Sequence, residues 1–213
     1  MLAPPARAVE VEGWMSPREL GFLYETALAM PRNVRVVELG SWKGRSTVAL
    51  CEGLNEKAPE FWSVDTFRGD SFIGTVEVSD VLPEFERNVS PYPFVQTIVS
   101  DTVAASEQFE DGSLDWLFVD ADHTYEGVTA DIVAWWPKLK PGGLISGHDY
   151  CFFSVAMAVN RLLPKLDTFE TIWHTRQPLR RRVPGKRETV VRKAIPFARY
   201  RVANHLSKRS ASA

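Results

Sequence analysis

The 213-residue sequence predicts an α/β layered fold built on a mostly parallel sheet. Two observations carry this. Short apolar runs rich in β-branched residues alternate with helical segments from residue 34 to residue 175. The first of them, VRVVELG (34–40), reads as a strand covered on both faces. Polar residues then gather where the runs end: Glu38, Asp65, Asp101, Asp120 with His123, and His148 with Asp149. Ligands of parallel α/β sheets sit outside the carboxyl ends of the strands, near the point where strand order reverses. Scattered polarity would not choose the same end of five strands.

The elements follow in order. Residues 1–13 read as a loose arm. Ser16 as N-cap, Pro17 at the first helical position and Glu19 three residues after the cap start a helix that runs to about Met30. Strands are expected at VRVVELG (34–40), FWSVDTF (61–67), FVQTIVS (94–100), LDWLFVD (114–120), GLISGHD (143–149) and TFETIWHT (168–175). Helices are expected over 46–54, 81–89, 102–109, 125–139 and 153–166, with KPGG before the fifth strand as a turn. Strict alternation implies right-handed crossovers.

The bulk properties narrow the class. An apolar fraction of 45% and a charged fraction of 24% are those of a soluble globular chain. No apolar run approaches the roughly 18 residues of a membrane span. The start MLAPPARAVEVEGW lacks an apolar signal core, so a cytoplasmic protein is expected. Cys51 and Cys151 sit in apolar surroundings and form no disulfide framework, which suits a reduced compartment. The net charge of −2 hides an asymmetry: residues 176–213 carry 12 Lys+Arg and one acid, leaving −13 on the rest. A basic tail suits nucleic acid or a membrane surface. A solvated, self-docking or homo-oligomer-forming extension is the simpler reading, because Phe197 and Tyr200 are its only rings.

The loop after the first strand, ELGSWKGRST (38–47), has Gly40 and Gly44 to tighten a turn and bring a ligand close to the backbone. Ser41, Ser46 and Thr47 line the turn and the helix start, where free N–H groups point outward. A phosphate-binding P-loop needs glycine at position 39, which is Leu, and lysine at position 45, which is Arg. A dinucleotide loop needs glycine at position 42, which is Trp. S-adenosylmethionine has no phosphate and carries a sulfonium and an ammonium. Glu38 suits those cations, Asp65 with the adjoining Thr66 suits the ribose hydroxyls, and Asp101 with Thr102 suits the adenine.

On VVELGSWKGRSTVAL, FWSVDTFRGD, LFVDADHTYEGVTADIVAWWPKLKPGG and LISGHDY, the chain resembles the class I S-adenosylmethionine-dependent methyltransferases. Within them it is similar to the small-molecule group with macrolide-sugar O-methyltransferases and cephalosporin-hydroxylase-like proteins. The resemblance covers about residues 12–175. It implies a Rossmann-like, doubly wound, mostly parallel sheet of six or seven strands with helices on both faces. It also implies S-adenosylmethionine as methyl donor, a small hydroxylated acceptor, and room for a divalent cation such as Mg²⁺ or Mn²⁺. Residues 1–30 then form an arm and lid helix, 31–175 the cofactor-binding domain and 176–213 a basic extension. The insertion RGDSFIGTVEVSD (68–80) has the length of an acceptor lid.

An alcohol is too weak an acid to react unaided and needs a base, a Lewis acid or both. Asp120 ends the fourth strand, and His148 with Asp149 ends the fifth. The resemblance implies metal ligands at Asp120, His148 and Asp149, although His148 stands where relatives carry a carboxylate. That change leaves room for Mn²⁺, Fe²⁺, Zn²⁺ or no metal. The resemblance gives His123 the role of general base, and an imidazole titrates near neutral pH. Asp122 and Glu126 are expected only to shape the turn and the helix start. No Asn/Asp-Pro-Pro-aromatic motif ends the fourth strand, so nucleic acid is not the expected acceptor. The alternative is a cofactor-binding fold that holds nucleic acid or envelope polyanions through its basic tail.

Overall fold

The computed structural model describes residues 2–68, 81–163 and 165–176. The expected lid 68–80 (beyond Arg68) and the tail beyond Arg176 lie outside the described residues. In chain order the elements are α1 (Ala6–Glu10), α2 (Pro17–Leu28), β1 (Arg35–Leu39), α3 (Arg45–Leu54), β2 (Glu60–Asp65), α4 (Leu82–Val89) and β3 (Val95–Val99). They continue with α5 (Thr102–Ala105), β4 (Leu114–Val119), α6 (Tyr125–Trp135), β5 (Leu139–Gly147), α7 (Phe153–Leu162), β6 (Asp167–Phe169) and β7 (Ile172–Thr175).

The described strands form one seven-stranded sheet in the order β3-β2-β1-β4-β5-β7-β6. β1 pairs in parallel with both β2 and β4, and β2–β3 and β4–β5 are also parallel. The order reverses between β1 and β4, which makes their carboxyl ends the place for a ligand. Successive strand residues face opposite layers. Val36, Phe61, Trp116, Phe118 and Leu144 pack with the residues of α1–α4. Val37, Leu39, Val64, Leu117, Val119 and Ile145 pack with those of α5–α7. A polar pair is buried within the first layer, where Trp116 Nε1 donates to Ser146 Oγ at 2.8 Å.

Three expectations change. The arm is not loose: α1 buries Ala8, Arg45 Nη1 donates to the carbonyls of Val9 and Val11, and Lys43 pairs with Glu12 at 2.6 Å. The KPGG stretch lies inside β5, at a register shift between the Leu114–Leu139 and Trp116–Leu144 pairs. The expected strand 168–175 is a hairpin: the chain turns at Glu170, with φ 49°, so β6 and β7 pair antiparallel and β7 pairs antiparallel with β5. This hairpin supplies the seventh strand.

Gly147 ends β5 where a Cβ would lie 2.3 Å from the Trp173 ring and 2.4 Å from the carbonyl of Val119. Both neighbours are held in the sheet, so neither can give way. Gly147→Ala is expected to destabilise the fold by about 1–3 kcal/mol. A lower urea midpoint at an unchanged m-value is the readout.

Candidate active site

Gly40 leaves β1 with φ 80°, and a Cβ there would meet the Asp120 carbonyl at 2.2 Å. Absence of a side chain lets the first loop pass directly over the end of β4. Glu38, fully buried in β1, accepts through Oε2 from Ser41 Oγ (2.9 Å) and from Thr47 Oγ1. Its Oε1 has no hydrogen-bond partner among the described residues. Burial pushes its pKa up to about 7, against the opposing hydroxyls of Thr47, Ser46 and Ser41.

Asp65 ends β2 with its carboxylate turned into the loop. Oδ2 accepts the amides of Ser41 and Trp42, both at 2.8 Å, and Oδ1 accepts the amide of Phe67 at 2.7 Å. Trp42 and Phe67 both have positive φ, as does Asp149 at the end of β5. Strained backbone of this kind persists only where surrounding contacts impose it, and it clusters at functional sites. Ser46 is buried in the first turn of α3 behind Gly44. Thr66 accepts the amide of Arg68 at 3.4 Å.

Past β3, Asp101 caps α5 by accepting the amide of Ala104 at 2.9 Å. The Thr102 hydroxyl donates to Asp131 of α6, and the Thr102 carbonyl accepts from Trp135 Nε1 at 2.8 Å. Asp131 went unnoticed in the sequence, where it reads as one more polar helix position. It is buried, its Oδ2 has no hydrogen-bond partner among the described residues, and burial raises its pKa to about 7.

Across the switch point the ends of β4 and β5 meet. Asp120, His123 and Asp149 each offer a ligand atom, and these atoms lie within 4.8 Å of one another. His123 Nε2 is 2.7 Å from Asp149 Oδ2. The loop carrying His123 is tied to α7, since Ser154 Oγ donates to the His123 carbonyl and Phe152 sets its ring edge against the imidazole at 5.5 Å. Asp122 stays out of the cluster: its Oδ1 accepts the amide of Thr124, and Thr124 caps α6. Asp122 thus serves the turn, as the sequence indicates.

The structure brings His123 to the two carboxylates, and it places His148 of the sequence reading beside both of them as well. His148 lies deeper, with its Nδ1 3.4 Å from Asp149 Oδ1 and 3.5 Å from Asp120 Oδ1. Its Nε2 faces Glu19 Oε1 at 3.4 Å. Burial opposes charge on this imidazole, but Asp149 and Asp120 outweigh it and hold its pKa well above the ordinary histidine value. Burial raises Asp120, with His148 opposing. Burial also acts to raise Asp149, but His148 and His123 overcome it and bring the group below the usual carboxylate range. Glu19 was legible only as a capping residue.

A family model described as a methyltransferase domain matches residues 37–150, more than half of the chain. The chain belongs to this methyltransferase-domain family. The uncharacterized protein y4gI of Sinorhizobium fredii (strain NBRC 101917 / NGR234) is 32% identical over 117 residues, covering 54% of this chain but only 13% of that protein. Among solved structures, the SAH-bound methyltransferase PaMTH1 of Podospora anserina has a TM-score of 0.63 at 15% identity, covering 83% of this chain and 89% of that one. An SAM-dependent O-methyltransferase of Thermotoga maritima has a TM-score of 0.60 at 14% identity, covering 84% of this chain and 74% of that one. These structural likenesses show a shared Rossmann-like methyltransferase fold.

In this methyltransferase domain Asp65 has a structural task as well as the expected ribose contact. Three of about four lone-pair positions on its carboxylate already hold backbone amides. Asp65→Ala is expected to cost about 1–3 kcal/mol in urea unfolding, because buried amides lose their acceptor. A residue serving only a ribose would lower cofactor affinity and leave unfolding unchanged.

Proposed function

We propose that the chain is an S-adenosylmethionine-dependent O-methyltransferase acting on a hydroxyl of a small acceptor, a sugar or a natural product. The observation that carries this reading is the His123–Asp149 pair beside Asp120, set next to the Gly40 turn at the switch point. The cofactor's chemistry fits the residues present. A bare, fully buried Glu38 Oε1 suits a cationic ammonium, and the tight turn at Gly40 suits close backbone approach. When bound, S-adenosylmethionine supplies an electrophilic methyl on a sulfonium that departs as a neutral thioether.

The side chains of this chain must orient the acceptor and take its proton. His123 is placed to accept the hydroxyl proton, and Asp149 at 2.7 Å fixes the ring and stabilises the imidazolium that results. Asp120 faces the same space and offers the acceptor a hydrogen-bond partner. The same three residues also fit a divalent cation, because two carboxylates and an imidazole suit Mn²⁺ and its neighbours. Such an ion would supply Lewis acidity toward the acceptor oxygen. Among the described residues no helix is long and apolar enough to cross a membrane.

Titration calorimetry with S-adenosylmethionine, followed by transfer assays on hydroxylated acceptors, tests the reading. Absence of micromolar cofactor binding would sink it. His123→Ala should lower kcat by about 10²–10⁴-fold and leave cofactor affinity nearly unchanged. Turnover insensitive to EDTA assigns the work to the base alone. Turnover lost to EDTA and restored by Mn²⁺ assigns the cluster to a metal.

Glu38 adds a pH signature. Its folded pKa near 7 keeps it largely neutral in more acidic solution, and the cofactor's ammonium favours the ionised form. Affinity should therefore rise by about tenfold between pH 5.5 and pH 7. Calorimetry at several pH values should show this slope, and Glu38→Gln should flatten it.

A further inference from the structure

Glu19 has no part in the chemistry above, yet it is fully buried and its free side faces the active site. Oε2 accepts the amide of Ser16 at 2.8 Å, which completes the capping box of α2. A capping box asks for nothing more, and such boxes are commonly solvent-exposed. Oε1 does something else. It accepts the amide of Thr171 at 3.1 Å and the Thr171 hydroxyl, and it stands 3.4 Å from His148 Nε2. That nitrogen meets hydrogen-bond geometry with no described residue, and Glu19 is the carboxylate that stands against it among the described residues.

The opposite ring nitrogen faces both site carboxylates, Asp149 at 3.4 Å and Asp120 at 3.5 Å. Asp149 in turn grips His123 at 2.7 Å through its other oxygen. The contacts form one chain from Glu19 through His148 and Asp149 to His123, with Asp120 branching at His148. An imidazole faced by carboxylate on both sides has one favoured orientation. With one side gone, the ring can turn, and the two carboxylates lose the group that sets their positions.

We propose that Glu19 is a positioning residue for methyl transfer: by facing His148 Nε2 it directs Nδ1 to Asp120 and Asp149, and so fixes Asp149 against His123. The inference rests on the reading of His123 as the base. It makes α2, far from β5 in sequence, a built part of the acceptor side. The ties of Ser16 Oγ to Glu170 at 2.7 Å and of Arg18 to Glu170 at 3.0 Å hold the start of α2 against the same hairpin turn that supplies Thr171.

The test compares the full-length parent with Glu19→Gln, His148→Asn and the double variant. Glutamine keeps the shape and an acceptor for Thr171 while removing the charge. Cofactor affinity should stay within about twofold of the parent, while kcat falls by about ten- to a hundredfold with a smaller change in KM. The double variant should be no slower than His148→Asn alone, because both changes break one path. Nitrogen-15 NMR of the rings should show both His148 and His123 shifted in Glu19→Gln. Independent, multiplying losses in the double variant overturn the inference, as does a His123 ring that stays put while His148 moves. A parent that transfers no methyl group defeats the functional reading alone, and the NMR comparison still decides the link. Should Glu19→Gln not fold, Thr171→Ala removes one donor from the same oxygen, and an unmoved His123 ring there overturns the inference too.

Discussion

Glu19, Asp120 and Asp149 can share one corner only because the buried His148 lies among them. Each stands 3.4–3.5 Å from one of its ring nitrogens. Two like charges at about 4 Å repel by about 4 kcal/mol in a surface-like dielectric, and by more when dry. One imidazolium facing three carboxylates turns much of that repulsion into attraction. The backbone is built to hold the ring. Trp173 Nε1 donates to the His148 carbonyl at 3.2 Å, the Tyr150 amide donates to the Thr171 carbonyl at 2.9 Å, and the His148 amide continues the ladder to Val119 at 3.1 Å. β7 therefore does more than close the sheet, since it braces the end of β5 that carries His148 and Asp149.

The architecture was legible because burial on both faces leaves a plain mark: apolar runs such as VRVVEL and LDWLFV admit few other readings. The hairpin within 168–175 was not. TFETIWHT reads as one run rich in β-branched and aromatic residues, and its turn falls on Glu170 rather than on a glycine or asparagine that would advertise a positive φ. What imposes that turn is tertiary: Glu170 is held by Ser16 and Arg18, about 150 residues earlier in the chain. The arm was misjudged for the same reason. Nothing within residues 1–13 shows that Arg45 will collect the carbonyls of Val9 and Val11.

The site divides likewise. Asp120, His123 and Asp149 could be picked out because strand ends point to a common cleft. The places of the two histidines could not, because adjacency on β5 says nothing of which imidazole turns inward. Glu19 carried an explanation that was correct and incomplete. Its capping role is local and readable from Ser16, whereas its contact with Thr171 spans 152 residues. Asp65, Asp101 and Thr102 show the converse. Each sits where a ligand residue was expected, and each also shapes its own loop. A polar residue at a strand end must satisfy neighbouring amides whether or not a ligand arrives, so sequence position alone cannot separate the two tasks.

The two halves of the cleft are built from different materials. Around Gly40 the structure offers backbone amides and hydroxyls, with the fully buried Glu38 carboxyl group behind them. Around His123 it offers titratable side chains in mutual contact. Asp120 is where the halves join. Its amide donates to the Leu39 carbonyl at 2.7 Å, its own carbonyl lies against Gly40, and its side chain faces His148. In the proposed reaction the donor and the acceptor must be aligned to within a fraction of an ångström. A residue whose backbone fixes the donor's turn and whose side chain belongs to the acceptor's cluster provides that alignment without any moving part. The close approach at Gly40 then has a second consequence. Any side chain there would push on the Asp120 backbone and disturb both halves at once, so the glycine is required by the cluster around His123 as much as by the turn it forms.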